Sequence, residues 1–208
     1  MIKVLKPGLA TSVQDLGREG YYHLGIPPSG ALDQYALSAA NHLVGNPAGA
    51  AGLECALVGP ELEFRQDALV AVCGAQMPAL LDGREQRPDT AFAVRAGQVL
   101  RFGFPTAGAR AYLAVAGGID VPEVLGSRST YALGALGGFH GRKLMAGDLL
   151  PVGVDDDAMD ACLGALEAGT PAGTRIWLAD DAQAGPRGTA IIERWLKRTA
   201  LQADYTRR

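Results

Sequence analysis

Apolar and polar residues alternate in several short segments of the first 150 residues. Because successive side chains of a strand point to opposite faces, this period of two predicts half-buried strands. The apolar positions of these segments are Leu62 and Phe64, Phe92 and Val94, those of residues 99–104, and Tyr112 with its neighbour Ala114. The pattern therefore predicts a mainly β fold, rich in hairpins.

Two further segments sharpen this prediction. Residues 68–73 are apolar throughout, and their shortness and their two valines favour a strand buried on both faces over a helix. The dipeptide Asp82-Gly83 follows a short apolar run. Because both residues tolerate a positive φ angle, the dipeptide predicts the two-residue turn of a β-hairpin.

One helix is predicted at residues 31–44. Ser29 stands where an N-cap is expected, Asp33 falls in the first turn, and residues 45–47, Gly-Asn-Pro, end the helix. If the helix only packs against the core, Asn41 and His42 are expected to face solvent or to lie near its end. Its apolar positions recur at helical spacing, at Leu32, Tyr35, Ala36, Ala39, Ala40 and Leu43.

The sequence changes character after Pro151. Three aspartates followed by residues 158–168 predict a short capped helix, and residues 174–178 predict a further strand. Residues 191–199 have the spacing of an amphipathic helix in a basic tail.

Composition narrows the possible functions. Nineteen Lys and Arg against 22 Asp and Glu give a net charge of −3, which argues against binding to nucleic acid or to an anionic membrane surface. Glycine is frequent, 28 of 208 residues, or about 13% against an average near 7%, as expected for a turn-rich folded protein. A chain of this length forms one large domain or two modest ones.

The cysteines and histidines show no metal-binding or disulfide pattern. Cys55, Cys73 and Cys162 lie far apart, and the three histidines form no H-x₃-H or H-E-x-x-H motif. The first seven residues reach a proline before a signal-peptide core is possible, and the longest apolar run is too short to cross a bilayer. We therefore expect a cytoplasmic protein without a metal site.

The first polar cluster, residues 11–33, leads into the predicted helix. It contains Gln14, Asp15, Arg18 and Ser29, and it ends at Asp33 near the helix amino terminus, where free backbone N–H groups favour a carboxylate or phosphate. The alternative is that Asp15 and Arg18 form a surface ion pair that contributes about 0–1 kcal/mol.

The second cluster, residues 117–143, combines glycine pairs with Arg128, Tyr131 and Arg142. Glycine-rich backbone can converge on an anion, and an arginine can bind a carboxylate or phosphate through two hydrogen bonds. The spacing before Lys143 is not that of a P-loop. The alternative is that the glycines serve tight turns. Glu54, between apolar neighbours, is a weaker candidate for an acid or base.

Several of these stretches, taken together, closely resemble the family of the 5-oxoprolinase C-subunit, also called allophanate hydrolase subunit 2, Kip antagonist or biotin-dependent carboxyltransferase-like. The resemblance covers roughly residues 1–150. The matching motifs are residues 13–18 (VQDLGR), 29–33 (SGALD), 40–46 (ANHLVGN), Leu53-Glu54 with Gly59-Pro60, 111–122 (AYLAVAGGIDVP), 124–131 (VLGSRSTY), Gly137-Gly138, Gly141-Arg142 and Gly147-Asp148.

The resemblance implies a cyclophilin-like β-barrel. It also implies a protein that acts with a Kip-inhibitor-like B-type partner and with a third protein in the ATP-dependent opening of 5-oxoproline to glutamate. ATP is then shared with the partner proteins. Relatives in urea amidolyases instead transfer a carboxyl group from carboxybiotin to urea, but this chain has no Met-Lys biotinylation pair. The other alternative is regulatory, since Kip antagonists sequester an inhibitor of a sporulation kinase.

Carried onto this chain, the resemblance gives a set of candidate site residues. We expect the arginines to bind the carboxylate or phosphate, and Asp15 or Asp33 to orient water or the amide nitrogen, because both reactions gather negative charge on a small planar amide. The candidate catalytic residues are Asp15, Asp33, Arg128 and Arg142, and the candidate substrate-binding residues are Gln14, Arg18, Ser29, Asn41 and Tyr131.

The chain also departs from the family pattern. Family members run longer, and the sequence after Trp177 no longer looks like theirs. We therefore expect a carboxyltransferase-like region at residues 1–177 and a divergent tail at residues 178–208, the product of a truncation or frameshift. Loss of the last barrel strands is expected to expose apolar surface.

Overall fold

The computed structural model describes residues 1–153, which form two antiparallel sheets, one α-helix and two short 3₁₀ turns. The helix, α1, is Gln34–Leu43, and the 3₁₀ turns are Tyr22–Leu24 and Ala132–Gly134. The strands are β1 Ile2–Lys6, β2 Ser12–Gln14, β3 Gly52–Ala56, β4 Glu61–Phe64, β5 Ala68–Gln76, β6 Ala79–Leu81, β7 Arg84–Gln86, β8 Ala91–Val94, β9 Val99–Phe102, β10 Ala107–Val115 and β11 Leu149–Leu150. The first sheet has the strand order β11-β1-β4-β9-β6-β7 and the second the order β2-β3-β10-β5-β8.

The core has two layers, and β5 contributes to both. Val70 and Val72 lie among the apolar side chains between the two sheets, together with Phe64 of β4. Leu69 and Ala71 project to the other face, where α1 packs. The prediction of a strand buried on both faces is therefore confirmed, and its cause is the helix that covers the outer face of the second sheet.

The predicted strands and hairpin are confirmed, with one correction. The alternating segments form β4, β8, β9 and β10, and Asp82 and Gly83 join β6 to β7 with φ angles of 48° and 82°. The prediction that the alternation continues to Phe104 is wrong. Strand β9 ends at Phe102, and Phe104 is 78% exposed, because the chain turns at residues 103–106 to begin β10.

Helix α1 starts later than predicted. Asp33, and not Ser29, is the N-cap, since Asp33 Oδ1 accepts a hydrogen bond from the Ala36 N–H at 3.0 Å. The residues before Asp33 are held out of helical geometry by another hydrogen bond. In this bond the Ala31 N–H donates to the Asp15 carbonyl at 2.8 Å. The helix ends at Leu43, before Gly45, as its sequence predicts.

The mainly β class with few helices is confirmed. Within residues 1–153 the strands form two sheets, and they do not close into the single barrel that the resemblance implies. The helix predicted at residues 158–168, the strand at 174–178, the helix at 191–199 and the boundary after residue 177 lie outside the described residues. No helix of the described part is long and apolar enough to span a membrane.

The thiols of Cys55 and Cys73 are expected to be unreactive in the folded protein. Both are free and buried, and burial raises the pKa of Cys55 to about 12 and that of Cys73 well above its ordinary value. Since the thiolate is the nucleophile, a disulfide reagent at neutral pH should modify neither thiol in a Cys162→Ser variant until denaturant is added. Stoichiometric labelling of the native variant would contradict this expectation.

Candidate functional site

The two polar clusters of the sequence meet in the structure. We call residues 15–33 loop A and residues 120–142 loop B. Loop A follows β2 and leads into α1, whereas loop B follows β10. The two loops are joined by hydrogen bonds between Asp15 and Arg18 of loop A and a short segment of loop B, residues 127–129.

Asp15 is the centre of this junction. Its carboxylate accepts four hydrogen bonds: Oδ1 from the Ser127 hydroxyl at 2.7 Å, the Gly17 N–H at 2.7 Å and the Ser129 hydroxyl, and Oδ2 from the Arg128 N–H. The Asp15 N–H in turn donates to Ser129 Oγ at 2.9 Å. The residue is 8% exposed, so these donors replace the water that the carboxylate leaves.

The charge state of Asp15 follows from this environment. Burial raises the pKa of the carboxyl, but the hydrogen bonds from Ser129, Ser127, Gly17 and Arg128 outweigh burial, and the net pKa is lowered. A general base needs a pKa near the working pH, so this carboxylate is poorly suited to proton transfer. The geometry favours a role in fixing loop B, and the prediction that Asp15 orients water or an amide nitrogen stays a prediction.

Arg18 is buried, with 2% of its surface exposed. Its Nη2 donates to the Ser129 carbonyl, Nε donates to the Val124 carbonyl at 3.3 Å, and Nη1 donates to Ser29 Oγ at 3.3 Å. The surface ion pair with Asp15 that we considered as an alternative is therefore not formed. Arg18 instead ties both loops together through backbone oxygens and one hydroxyl.

Glycines allow the two ends of loop A to come into close contact. Gly17 and Gly30 have φ angles of 93° and 88°, and a Cβ on Gly30 would lie 2.9 Å from the Gly17 nitrogen. The Arg18 N–H bonds the Pro28 carbonyl at 2.8 Å across this contact. Ser29, with a φ of 57°, thereby brings its hydroxyl to Arg18.

Gln14 precedes the junction on β2. Its Nε2 donates to Ser12 Oγ at 3.0 Å and to the Thr130 carbonyl at 3.4 Å, while its buried Oε1 has no hydrogen-bond partner among the described residues. An unpaired buried oxygen is costly and is commonly satisfied by water or a ligand. The predicted role of Gln14 in substrate binding is thus compatible with its surroundings.

Arg128 of loop B reaches solvent, since its side chain is 36% exposed. Its backbone N–H is held by Asp15, while its Nε donates to the Val121 carbonyl at 2.8 Å and its Nη1 to Glu123 Oε1 at 2.6 Å. Asp120 lies 4.0 Å from Nη2. The guanidinium is therefore oriented by fixed neighbours, with two carboxylates beside it.

Arg142 is not part of the junction at Asp15. Its guanidinium forms two parallel hydrogen bonds of 2.8 Å with Asp148, and it lies 5.8 Å from the centre of the Phe139 ring. The hydrogen bonds of Arg142 hold the pKa of Asp148 below its ordinary value. The structure therefore fastens Arg142 to the turn before β11 and does not bring it to Asp15.

Tyr131 and Asn41 are both held by their own surroundings. The Tyr131 ring packs on Gly134, where a Cβ would lie 2.6 Å from the ring, and its backbone pairs with Leu136. Asn41 is wholly buried and does not face solvent, but it lies in the last turn of α1, near the helix end, as the alternative also allowed. Its Nδ2 donates to the Ala50 carbonyl at 2.7 Å, and its Oδ1 accepts from Asn46.

Sequence reasoning missed two polar residues near the site. Asn46 bridges α1 to β10, because its Nδ2 donates to the Val115 carbonyl at 2.8 Å and its Oδ1 accepts from the Gly117 N–H at 2.8 Å. Tyr112 has only the signature of an apolar strand residue, but its hydroxyl bonds Glu54 and the Asp33 N–H, both at 2.8 Å. The Gly-Asn-Pro run after α1 is the available signal for Asn46.

No group of three or more His, Cys, Asp or Glu side chains within the described range is placed to hold a metal ion. A triphosphate site is also a poor fit to the arginines of the two loops. A triphosphate needs several available cations, but Arg18 is buried, Arg128 already pairs with Glu123 through Nη1, and Arg142 is paired with Asp148.

The structure is a β domain of two sheets, in which a glycine-rich loop bonds the loop that leads into the helix. The sequence of this domain matches a known family. A family model described as "Carboxyltransferase domain, subdomain A and B" matches residues 24–207. The chain therefore belongs to the carboxyltransferase domain family.

Relatives with curated names agree with this assignment. The chain is 46% identical over 162 residues to the C-subunit of 5-oxoprolinase from Escherichia coli, covering 77% of this chain and 52% of the relative. It is 43% identical over 150 residues to urea amidolyase of Saccharomyces cerevisiae, covering 72% of this chain and 8% of the relative. The chain thus spans about half of the bacterial relative and a small part of the yeast enzyme.

The fold agrees with a solved relative. The crystal structure of Kluyveromyces lactis urea carboxylase superposes with a TM-score of 0.72 at 44% identity, over 76% of this chain and 14% of that chain. The recognition of the family from its motifs is therefore confirmed.

Proposed function

We propose that this chain is one component of an ATP-dependent amide hydrolase, most specifically a 5-oxoprolinase, that converts 5-oxoproline, ATP and water to glutamate, ADP and phosphate. The observation that carries the proposal is the similarity to the 5-oxoprolinase C-subunit, which extends over 77% of this chain and 52% of the E. coli relative. A second C-subunit of 5-oxoprolinase, from Haemophilus influenzae, is 39% identical over 155 residues.

The chemistry of the substrate suggests what the site must do. A lactam is a poor electrophile, and phosphorylation of its carbonyl oxygen by ATP activates the ring carbon towards water. The ring C–N bond then breaks, the nitrogen takes up a proton, and hydrolysis of the resulting acyl phosphate releases glutamate and phosphate. Because the arginines of loops A and B are buried or paired, we place the nucleotide mainly on a Kip-inhibitor-like B-type partner and a third protein. This chain then contributes to binding and orienting the substrate.

Within this chain, Arg128 is the best candidate to meet the substrate carboxylate. Its guanidinium is partly exposed, and its backbone is fixed through Asp15. Asp33 is exposed and uses Oδ1 for the helix cap, so it remains the candidate that orients water. Arg18 and Asp15 act in this proposal as the residues that hold Arg128 in place.

The test is turnover in the complete complex. The chain is combined with its two partner proteins, and ATP-dependent glutamate release from 5-oxoproline is measured. We expect Arg128→Ala to lower kcat/KM about tenfold or more, the effect of losing one charge-assisted hydrogen bond of about 1.5–3 kcal/mol. Arg101→Ala, which removes an exposed arginine of β9 in the first sheet, is the matched control and should leave kcat/KM unchanged.

Two results would contradict the proposal. If the wild-type complex assembles but releases no glutamate, the chain is not part of an oxoprolinase, and binding without turnover favours a regulatory role. If Arg128→Ala turns over normally, the residue assignment fails.

Carboxyl transfer to urea is the second candidate, favoured by the structural similarity to Kluyveromyces lactis urea carboxylase. This reaction needs a biotin carrier on another polypeptide. Formation of carboxylated urea from urea, bicarbonate and ATP in the presence of such a carrier, with no glutamate release from 5-oxoproline, would establish it in place of the first candidate.

A further inference from the structure

A carboxylate on β3 collects hydrogen bonds from three residues. Glu54 Oε1 accepts from Arg110 Nε at 3.0 Å, and Glu54 Oε2 accepts from the Tyr112 hydroxyl at 2.8 Å and from the Leu32 N–H at 2.9 Å. Arg110 and Tyr112 lie on the neighbouring strand β10, whereas Leu32 lies in loop A. The Glu54 side chain is 13% exposed, so it is mainly surrounded by these partners.

Tyr112 connects Glu54 to a further residue of loop A, Asp33. Its hydroxyl donates to Glu54 and at the same time accepts from the Asp33 N–H at 2.8 Å. Tyr112 is fully buried, and burial, with the neighbouring Glu54 carboxylate, raises the pKa of its hydroxyl. The proton therefore stays on the hydroxyl, which lets the group donate and accept at once.

The two amides that this pair holds are the last two of loop A. Leu32 itself is 71% exposed, so its apolar side chain does little to place this segment. Immediately before it, the Ala31 N–H bonds the Asp15 carbonyl at 2.8 Å, and Gly30 packs on Gly17. Residues 29–33 are thus fixed at one end by Glu54 and Tyr112 and at the other by the turn that contains Asp15.

We propose that Glu54 and Tyr112 are positioning residues that set the placement of residues 29–33 against the turn of Asp15 and Arg18, and through Asp15 the placement of Arg128. The expected effect of this role on catalysis rests on the proposed function. The structural basis of the role is independent of the substrate, because hydrogen bonds at Leu32, Ala31 and Asp15 connect Glu54 to Arg128 through neighbouring residues of loop A.

The test combines backbone hydrogen exchange with turnover. Tyr112→Phe removes one hydroxyl and leaves the buried ring, whereas Glu54→Gln keeps the size of the side chain. We expect exchange at the amides of residues 31–33 and at Arg18 to rise at least tenfold in either variant, with the amides of β5 unchanged. We expect kcat of the complete complex to fall at least fivefold, with a smaller change in the midpoint of thermal unfolding than the core variant Phe64→Ala produces.

Glu61→Gln is the control, because Glu61 is also an ion-paired strand carboxylate but faces Lys6 and Arg101 on the other sheet. It should retain wild-type exchange in loop A and wild-type kcat. Unchanged exchange at residues 31–33, or an equal rise across both sheets, would overturn the positioning role. Failure of the wild-type complex to act on 5-oxoproline would instead overturn the proposed function, and the exchange result would still decide the role of the pair.

Discussion

Asp15→Ala is expected to lower the free energy of unfolding by about 3 kcal/mol, since the change removes hydrogen bonds to a charged group and leaves buried donors unpaired. The Ser127 and Ser129 hydroxyls and the Arg128 N–H would each lose their acceptor at once. Urea denaturation of the variant, followed by circular dichroism, measures the loss. The same change should reduce turnover more than stability alone explains, because Arg128 loses its backbone support.

Asp67→Ala is the matched control for this prediction. Asp67 also accepts from a backbone N–H, that of Ala96, and from an arginine, Arg95, but its side chain is 45% exposed. Water replaces the lost carboxylate there, so we expect a cost of less than about 1 kcal/mol. Equal losses in the two variants would contradict the argument that burial makes the Asp15 hydrogen bonds valuable.

The Asp15 carboxyl also predicts the direction of a pH effect. Its pKa in the folded protein is lowered from the ordinary value of 3.8, so it stabilises the fold above that value. This stabilisation is lost as the pH falls below 3.8 through the folded-state pKa. Asp15→Asn should therefore be less stable than the wild type at neutral pH, and the difference should shrink at acid pH. A difference that stays constant from about pH 7 to about pH 2.5 would contradict the assignment.

The sequence predicts the strands well because their periodicity is a local signal. Alternation alone locates β4 and β8, and Asp82-Gly83 locates a hairpin whose two φ angles are positive. The predicted helix start is wrong because Ser29 and Asp33 are both good N-cap residues. The choice between them is made by the hydrogen bond between Ala31 and Asp15, which no local pattern contains.

The candidate site is only partly predictable. The motifs indicate that Asp15, Arg18 and Arg128 belong to one family pattern, but not that Asp15 bonds residues 112 to 114 positions away along the chain. The alternation marks Tyr112 only as a strand residue, since its hydroxyl gains meaning from Glu54 on the next strand. Polar partners brought together by sheet register are invisible in the pattern of one segment.

Gly137→Ala is expected to have the other large effect, a loss of more than about 3 kcal/mol in the free energy of unfolding together with loss of turnover. Gly137 has a φ of 65°, where an alanine costs about 1–2 kcal/mol. The added Cβ would also clash with the Ser129 carbonyl oxygen and lie 2.7 Å from Arg18 Nη2. That carbonyl is the acceptor of the Arg18 hydrogen bond, so we expect relief of the clash to displace Arg18 and weaken the contact between the two loops.

Gly126→Ala isolates the cost of the backbone angle, because Gly126 lies in the same loop with a φ of 73° and a Cβ there would meet no atom within 4 Å. We expect this variant to lose only about 1–2 kcal/mol and to retain turnover. The difference between the two alanine variants therefore measures the contact of Gly137 with Ser129 and Arg18. Equal unfolding free energies for the two variants would show that loop B yields at Gly137 without disturbing Arg18, and that the close packing of the two loops is not required for stability.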